Sequence, residues 1–98
     1  MSGPSRSSGG LDERRRRILF RARHRGMREM DLILGGFADA EIAALCDGEL
    51  ADFEALLEPD DQKVFSWVSG TEPVPAEFDT PLFRKVRDFH FSGRGLPA

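Results

Sequence analysis

Apolar residues recur along this chain at intervals of three and four, and nothing alternates with period two over a useful length. The pattern predicts helices and no strands. A first helix is expected from about Asp12 to His24, with acids at its start, arginines after them and a thin apolar stripe of Leu11, Ile18, Leu19 and Ala22. Gly26 ends it or links it to the next element. From Met27 the spacing Met27, Met30, Ile33/Leu34, Phe37 is that of a buried helical face, running on through Ala40 and Ile42 to Leu45. Gly35-Gly36 interrupts it and marks either a close helix contact or a kink. Asp47 is the expected N-cap of a third helix carrying Leu50, Phe53, Leu56 and Leu57, closed by Pro59. Asp60 or Asp61 caps a fourth, with Val64, Phe65, Trp67 and Val68 as its apolar residues and Gly70 as its left-handed stop. The connector "TEPVPAEFD" cannot be helical throughout. Asp79 or Thr80 then caps a fifth helix with Pro81 at its first position and Leu82, Phe83, Val86 and Phe89 facing the core. The prediction is an all-α fold, a compact bundle of about five short helices over residues 11–91. A Ser/Gly-rich disordered tail (1–10) precedes it and a frayed tail (92–98) follows.

Composition narrows what such a bundle does. Ninety-eight residues, 40% of them apolar, make one domain near the lower end of what folds without covalent staples. The single cysteine, Cys46, excludes an internal disulfide framework, and with only His24 and His90 beside it no multi-ligand zinc pattern can be built. Cys46 itself reads as a small core residue near a helix end. The apolar runs are too short to span a membrane. The first ten residues lack the apolar region of a secretory signal and run directly into Asp12 and Glu13, so a bacterial cytoplasm is expected ahead of a mitochondrial matrix.

The net charge of −3 hides a division. Residues 1–30 carry nine arginines against three acids, and residues 31–80 carry thirteen acids against Lys63 alone. A basic end and an acidic middle give a dipole suited to oriented docking on another macromolecule. The eight arginines of "ERRRRILFRARHRGMR" are enough to attract phosphate, yet lysine is almost absent and the adjoining half is acidic. Spaced through an amphipathic helix, they serve intramolecular pairs or a protein interface equally well.

Catalytic chemistry is hard to find. Acidic pairs such as Asp60/Asp61 and Asp52/Glu54 are ordinary on exposed helix faces and caps, and no nucleophile–base–acid order or phosphate-cradling glycine loop occurs. His24 lies among arginines. His90, near the end of the last helix, reads as a partner for free carbonyls. No independent enzyme is expected. What remains is "RGMRE". In the bland reading Gly26 is a helix stop and Arg25 and Glu29 are solvated neighbours. In the sharper one Gly26 leaves a bare corner between two helices, flanked by a fork donor, Arg25, and an acceptor, Glu29, so that a partner can approach closely.

The stretch "RHRGMREMD", followed by Phe37, "LCDGELADFEALLEPDD" and the "VFSWVSG" segment with Trp67 and Gly70, resembles the small flavinylation-factor family that assembles succinate dehydrogenase and fumarate reductase. The resemblance is strong from Arg23 to Gly70 and general in the last helix. It implies a five-helix bundle and an assembly chaperone that binds the flavoprotein subunit and promotes covalent attachment of FAD to it. FAD is then the partner's cofactor, with none held stably by this chain, and no nucleic acid or membrane insertion is expected of a free monomer. The motif positions are Arg25, Gly26 and Glu29, with Arg23, Met27, Arg28 and Asp31 around them in the same contact surface. His24 replaces a residue that is often basic, and Gly35-Gly36 stands where bulkier residues are common. An interaction module of another kind, such as an antitoxin, is the alternative function, and a small nucleic-acid-binding protein the third.

Overall fold

A computed structural model of the chain describes residues 10–93, and the two expected tails lie almost wholly outside them. Helix α1 (Glu13–Arg23) leaves a four-residue turn before α2, which begins at Arg28 and is continuous to Glu41 before tightening into a 3-10 turn at Ile42–Ala44. Helix α3 (Asp47–Leu56), α4 (Asp61–Ser69) and α5 (Pro81–Phe91) follow, with a single 3-10 turn, Ala76–Phe78, inside the proline-rich connector. Five helices and no strand among the described residues agree with the helical periodicity.

The local signals work as their chemistry requires. The Thr80 hydroxyl accepts the Phe83 N–H at 3.0 Å and Pro81 occupies the first position of α5. Of the two aspartates before α4 it is Asp60 that caps, accepting from the Lys63 N–H at 2.9 Å. Gly70 ends α4 with φ of 85°. One expected cap shifts by a residue. Cys46, not Asp47, occupies the N-cap of α3, and the Glu49 carboxylate reaches back to its N–H at 3.0 Å. Cys46 is therefore exposed rather than part of the core.

Twenty-one apolar side chains form one continuous core, and no polar or charged residue is buried with them among the described residues. Every predicted stripe contributes. Phe37 of α2 sits at the centre, edge-on to Phe53 of α3 (5.7 Å between ring centroids) and to Phe89 of α5 (5.9 Å). Phe78 of the 3-10 turn stacks on Trp67 at 5.1 Å and roofs that side of the core.

The glycine pair in α2 resolves in favour of close packing. A Cβ on Gly35 would lie 3.3 Å from the Arg23 Cα and 3.5 Å from the Ala22 carbonyl oxygen, so α1 and α2 touch backbone to backbone there. The helix is widened at this contact: Asp31–Gly35 is a π-helical stretch whose flanking residues keep right-handed helical angles. That widened stretch directly follows the first turn of α2.

Candidate functional site

The α1–α2 turn carries the motif. Gly26 has φ of 99°, a conformation that side chains rarely adopt, and nothing lies within 4 Å of where its Cβ would be. The glycine is thus required by the backbone and also leaves an open corner. Met27 turns its side chain partly onto the core, while Arg28 and Glu29 stand exposed in the first turn of α2. Among the described residues neither side chain has an ion-pair or hydrogen-bond partner, although Glu29 lies where the helix dipole favours an acid.

Arg25 is placed differently from the sequence expectation. Its side chain is only 10% exposed, and the guanidinium points inward. Nε donates to Asp61 Oδ1 at 2.6 Å, Nη1 to the Leu57 carbonyl at 2.5 Å and Nη2 to the Pro59 carbonyl at 2.8 Å. The fork is consumed by the α3–α4 junction, whose carbonyls have no helical N–H to receive. Asp31 is also internal, accepting the Arg25 backbone N–H at 2.6 Å, and Arg23 pairs with Asp39 of α2. Of the seven residues assigned to the surface, Gly26, Arg28 and Glu29 are the ones fully presented. Met27 is half-packed, and Arg23, Arg25 and Asp31 support them from behind.

Three further arginines of α1 are spent in the same way. Arg14 forms a two-pronged pair with Glu54 of α3 (2.8 and 3.2 Å), and Arg21 pairs with Glu58 at 2.9 Å. Arg15 donates to the Ile42 and Leu45 carbonyls at 2.9 and 2.5 Å, closing the end of α2 as Arg25 closes the end of α3. The hydrogen bond from Arg14 holds the Glu54 carboxyl below its usual range, and that from Lys85 does the same for Glu49. Part of the basic end and of the acidic middle is therefore paired across α1 and α3, while Arg16 and Arg17 stay exposed. His90 departs too: its buried Nδ1 has no hydrogen-bond partner, so it does not serve the last carbonyls of α5.

Two further features surround the turn or lie apart from it. Phe20 is 61% exposed and stacks on His24 at 4.0 Å, with His24 Nδ1 donating to the Phe20 carbonyl at 2.7 Å. A shallow groove of about 300 Å³ lies between α2 and α5, lined by Phe37, Glu41, Lys85, Asp88, Phe89 and Ser92. Sequence reasoning missed the Phe20–His24 stack, although the i, i+4 aromatic pairing was there to be found.

A bundle most of whose described arginines are engaged internally, and whose turn displays a bare glycine beside two unspent opposite charges, offers that turn as a docking corner. The chain belongs to the family described as the flavinator of succinate dehydrogenase, whose sequence profile matches residues 16–90. It is 40% identical over 92 residues to the FAD assembly factor SdhE of Acetobacter pasteurianus, covering 87% of this chain and 84% of that protein. Over 77 residues it is 35% identical to succinate dehydrogenase assembly factor 2 of Dictyostelium discoideum, a mitochondrial protein (79% of this chain, 55% of the relative). The corresponding factor 2-A of Drosophila ananassae is 33% identical over 87 residues (87% and 56%). The chain thus spans most of the bacterial relative and little more than half of the mitochondrial ones.

Proposed function

We propose that this chain is a non-catalytic assembly factor that binds the flavoprotein subunit of succinate dehydrogenase or fumarate reductase and promotes covalent attachment of FAD to it. The observation that carries the reading is the Gly26–Glu29 corner. Within a family-matched chain whose other described arginines are mostly engaged internally, this corner keeps a bare backbone and two opposite charges for something outside. The docking face is Gly26, Arg28 and Glu29, with Met27 at its edge and Arg23, Arg25 and Asp31 behind it.

Docking accelerates attachment by selection. If the bundle binds one arrangement of the partner's domains more tightly than the others, that arrangement is populated in proportion to the difference in affinity. The favoured arrangement is the one that brings the partner's attachment residue and flavin within reach. The bond-making chemistry belongs to the partner and its FAD, and this chain holds no cofactor of its own. The setting is a bacterial cytoplasm, supported by the likeness to the Acetobacter factor. Internal use of Arg14, Arg15, Arg21 and Arg23 argues against the nucleic-acid alternative.

The decisive experiment expresses the flavoprotein subunit with and without this chain and reads covalent flavin as in-gel fluorescence. Higher fluorescence with the chain present is expected, and equal fluorescence in both samples overturns the function. A Gly26→Arg variant is expected to lose the effect, and one that assists as well as wild type removes the docking corner.

A further inference from the structure

Four residues, 24–27, join α1 to α2, and they make few bonds of their own. Among the described residues their backbone hydrogen bonds within the turn are the His24 N–H to the Arg21 carbonyl at 3.3 Å and the Asp31 N–H to the Met27 carbonyl at 2.9 Å. A segment so sparsely bonded and centred on a left-handed glycine would by itself be a hinge. Instead it is bolted at one residue from two sides. Asp31 of α2 receives the backbone N–H of Arg25, and the guanidinium of the same residue occupies three acceptors on the α3–α4 junction.

We infer that Arg25 and Asp61 form a positioning clamp, which holds the Gly26 turn in the shape that the partner meets. Arg25 contributes to docking without reaching the partner, through order imposed on Gly26, Arg28 and Glu29. The pair suits this task. Its two side chains are 10% and 17% exposed, so water competes weakly for either charge, and a planar fork with three acceptors at fixed angles permits one orientation. Asp61 is also the first residue of α4, and the acceptors Leu57 and Pro59 close α3, so the clamp ties the turn to the junction between two core helices. A preordered loop binds more tightly than a mobile one because the ordering cost has been met before the encounter. This inference rests on the docking reading above for its consequence, but not for its physical content.

The test therefore has one arm without the partner and one with it. In the free protein, amide hydrogen exchange at His24, Arg25 and Asp31, the hydrogen-bonded amides of the turn, is measured for wild type, Asp61→Ala and Arg25→Lys under conditions where all three are folded. Removal of the carboxylate is expected to raise exchange at these amides by about tenfold or more, with the amides of α3 and α5 unchanged. The lysine variant keeps the charge and leaves Asp61 at the start of α4, but an ammonium cannot hold all three acceptors together, so a smaller rise is expected. Unchanged exchange at the turn in both variants overturns the clamp whatever the partner does.

In the second arm, affinity for the apo-flavoprotein subunit is measured for the same proteins and for Glu29→Arg. Asp61→Ala is expected to weaken binding about tenfold. Glu29→Arg is expected to weaken it with no change in exchange at the turn. Binding by Asp61→Ala equal to wild type, despite a loosened turn, overturns the positioning role. A wild-type chain that does not bind overturns the docking reading, and the exchange arm still decides whether the clamp orders the turn.

Discussion

The face between α1 and α3 and the corner between α1 and α2 are built from the same residue types and use them in opposite ways. On the first, Arg14 and Arg21 meet Glu54 and Glu58, and Arg15 closes the end of α2. On the second, Arg28 and Glu29 stand side by side with no partner among the described residues. A charge with an internal partner contributes to the bundle and is unavailable elsewhere. A charge without one contributes little to stability and is free for recognition. Arg25 marks the boundary, since its backbone belongs to the corner and its guanidinium to the interior.

The contrast is broken most severely at that boundary. Arg25→Ala leaves Asp61 and two carbonyls without their donor in a site that water reaches poorly. Losing one member of a largely buried pair costs about 3 kcal/mol. Urea denaturation is expected to show a loss of this order, and a loss below about 1 kcal/mol, the range of exposed pairs, would mean that Arg25 is no different from the surface arginines. Next comes the α1–α2 seam. Gly35→Val places a branched side chain against the Arg23 Cα, a backbone atom that cannot swing aside, and overpacking of this kind costs about 2 kcal/mol. Thermal unfolding measures it, and a neutral result would show that the π-helical stretch yields freely. Gly26→Ala follows at about 1 kcal/mol, from the left-handed backbone alone, because the space around it is open.

These effects separate what sequence made legible from what it did not. The helices were legible because their signals are local. Thr80 with Pro81, Asp60, Gly70 and the apolar stripes each act within a turn or two of chain. The site was legible only in part. Gly26 announced itself by being a glycine between helical segments, but the direction of Arg25 depends on Asp61, thirty-six positions away. The acids at 54, 58 and 61 and the arginines at 14, 21 and 25 lie far apart in the chain and in different elements. Only the packing of α1 and the turn after it against α3 and the start of α4 brings the two sets together. The π-helical widening of α2, at the contact between Gly35 and Arg23, was equally hidden. Cys46 misled because the local cap was assigned to the better capping residue next to it.

Smaller still are the exposed pairs. The carboxyls of Glu54 and Glu49 titrate below their usual range because Arg14 and Lys85 donate to them. A depressed folded-state value means that the contribution is present above the ordinary glutamate range and is lost as pH falls through the lowered value. Stability is expected to decline below about pH 4. Glu54→Gln should flatten part of that decline, at a cost of at most about 0.5 kcal/mol at pH 7 because the pair is open to solvent. A Glu54→Gln protein with an acid limb as steep as wild type would show that Arg14 and Glu54 are not coupled in solution.

The smallest effect on stability is the most informative. Glu29 has no partner among the described residues, so Glu29→Gln should alter unfolding by no more than about 0.5 kcal/mol, the loss of a favourable charge at a helix start. The same change should nevertheless lower covalent flavin fluorescence of a co-expressed flavoprotein subunit. Glu54→Gln, equally mild in the free protein, should not. Two conservative substitutions of one residue type, matched in stability and opposite in function, would establish that an unspent charge at the corner acts differently from a spent one on the α1–α3 face. If both variants assist equally well, the division between the two regions describes how the bundle is held together and nothing about what it docks.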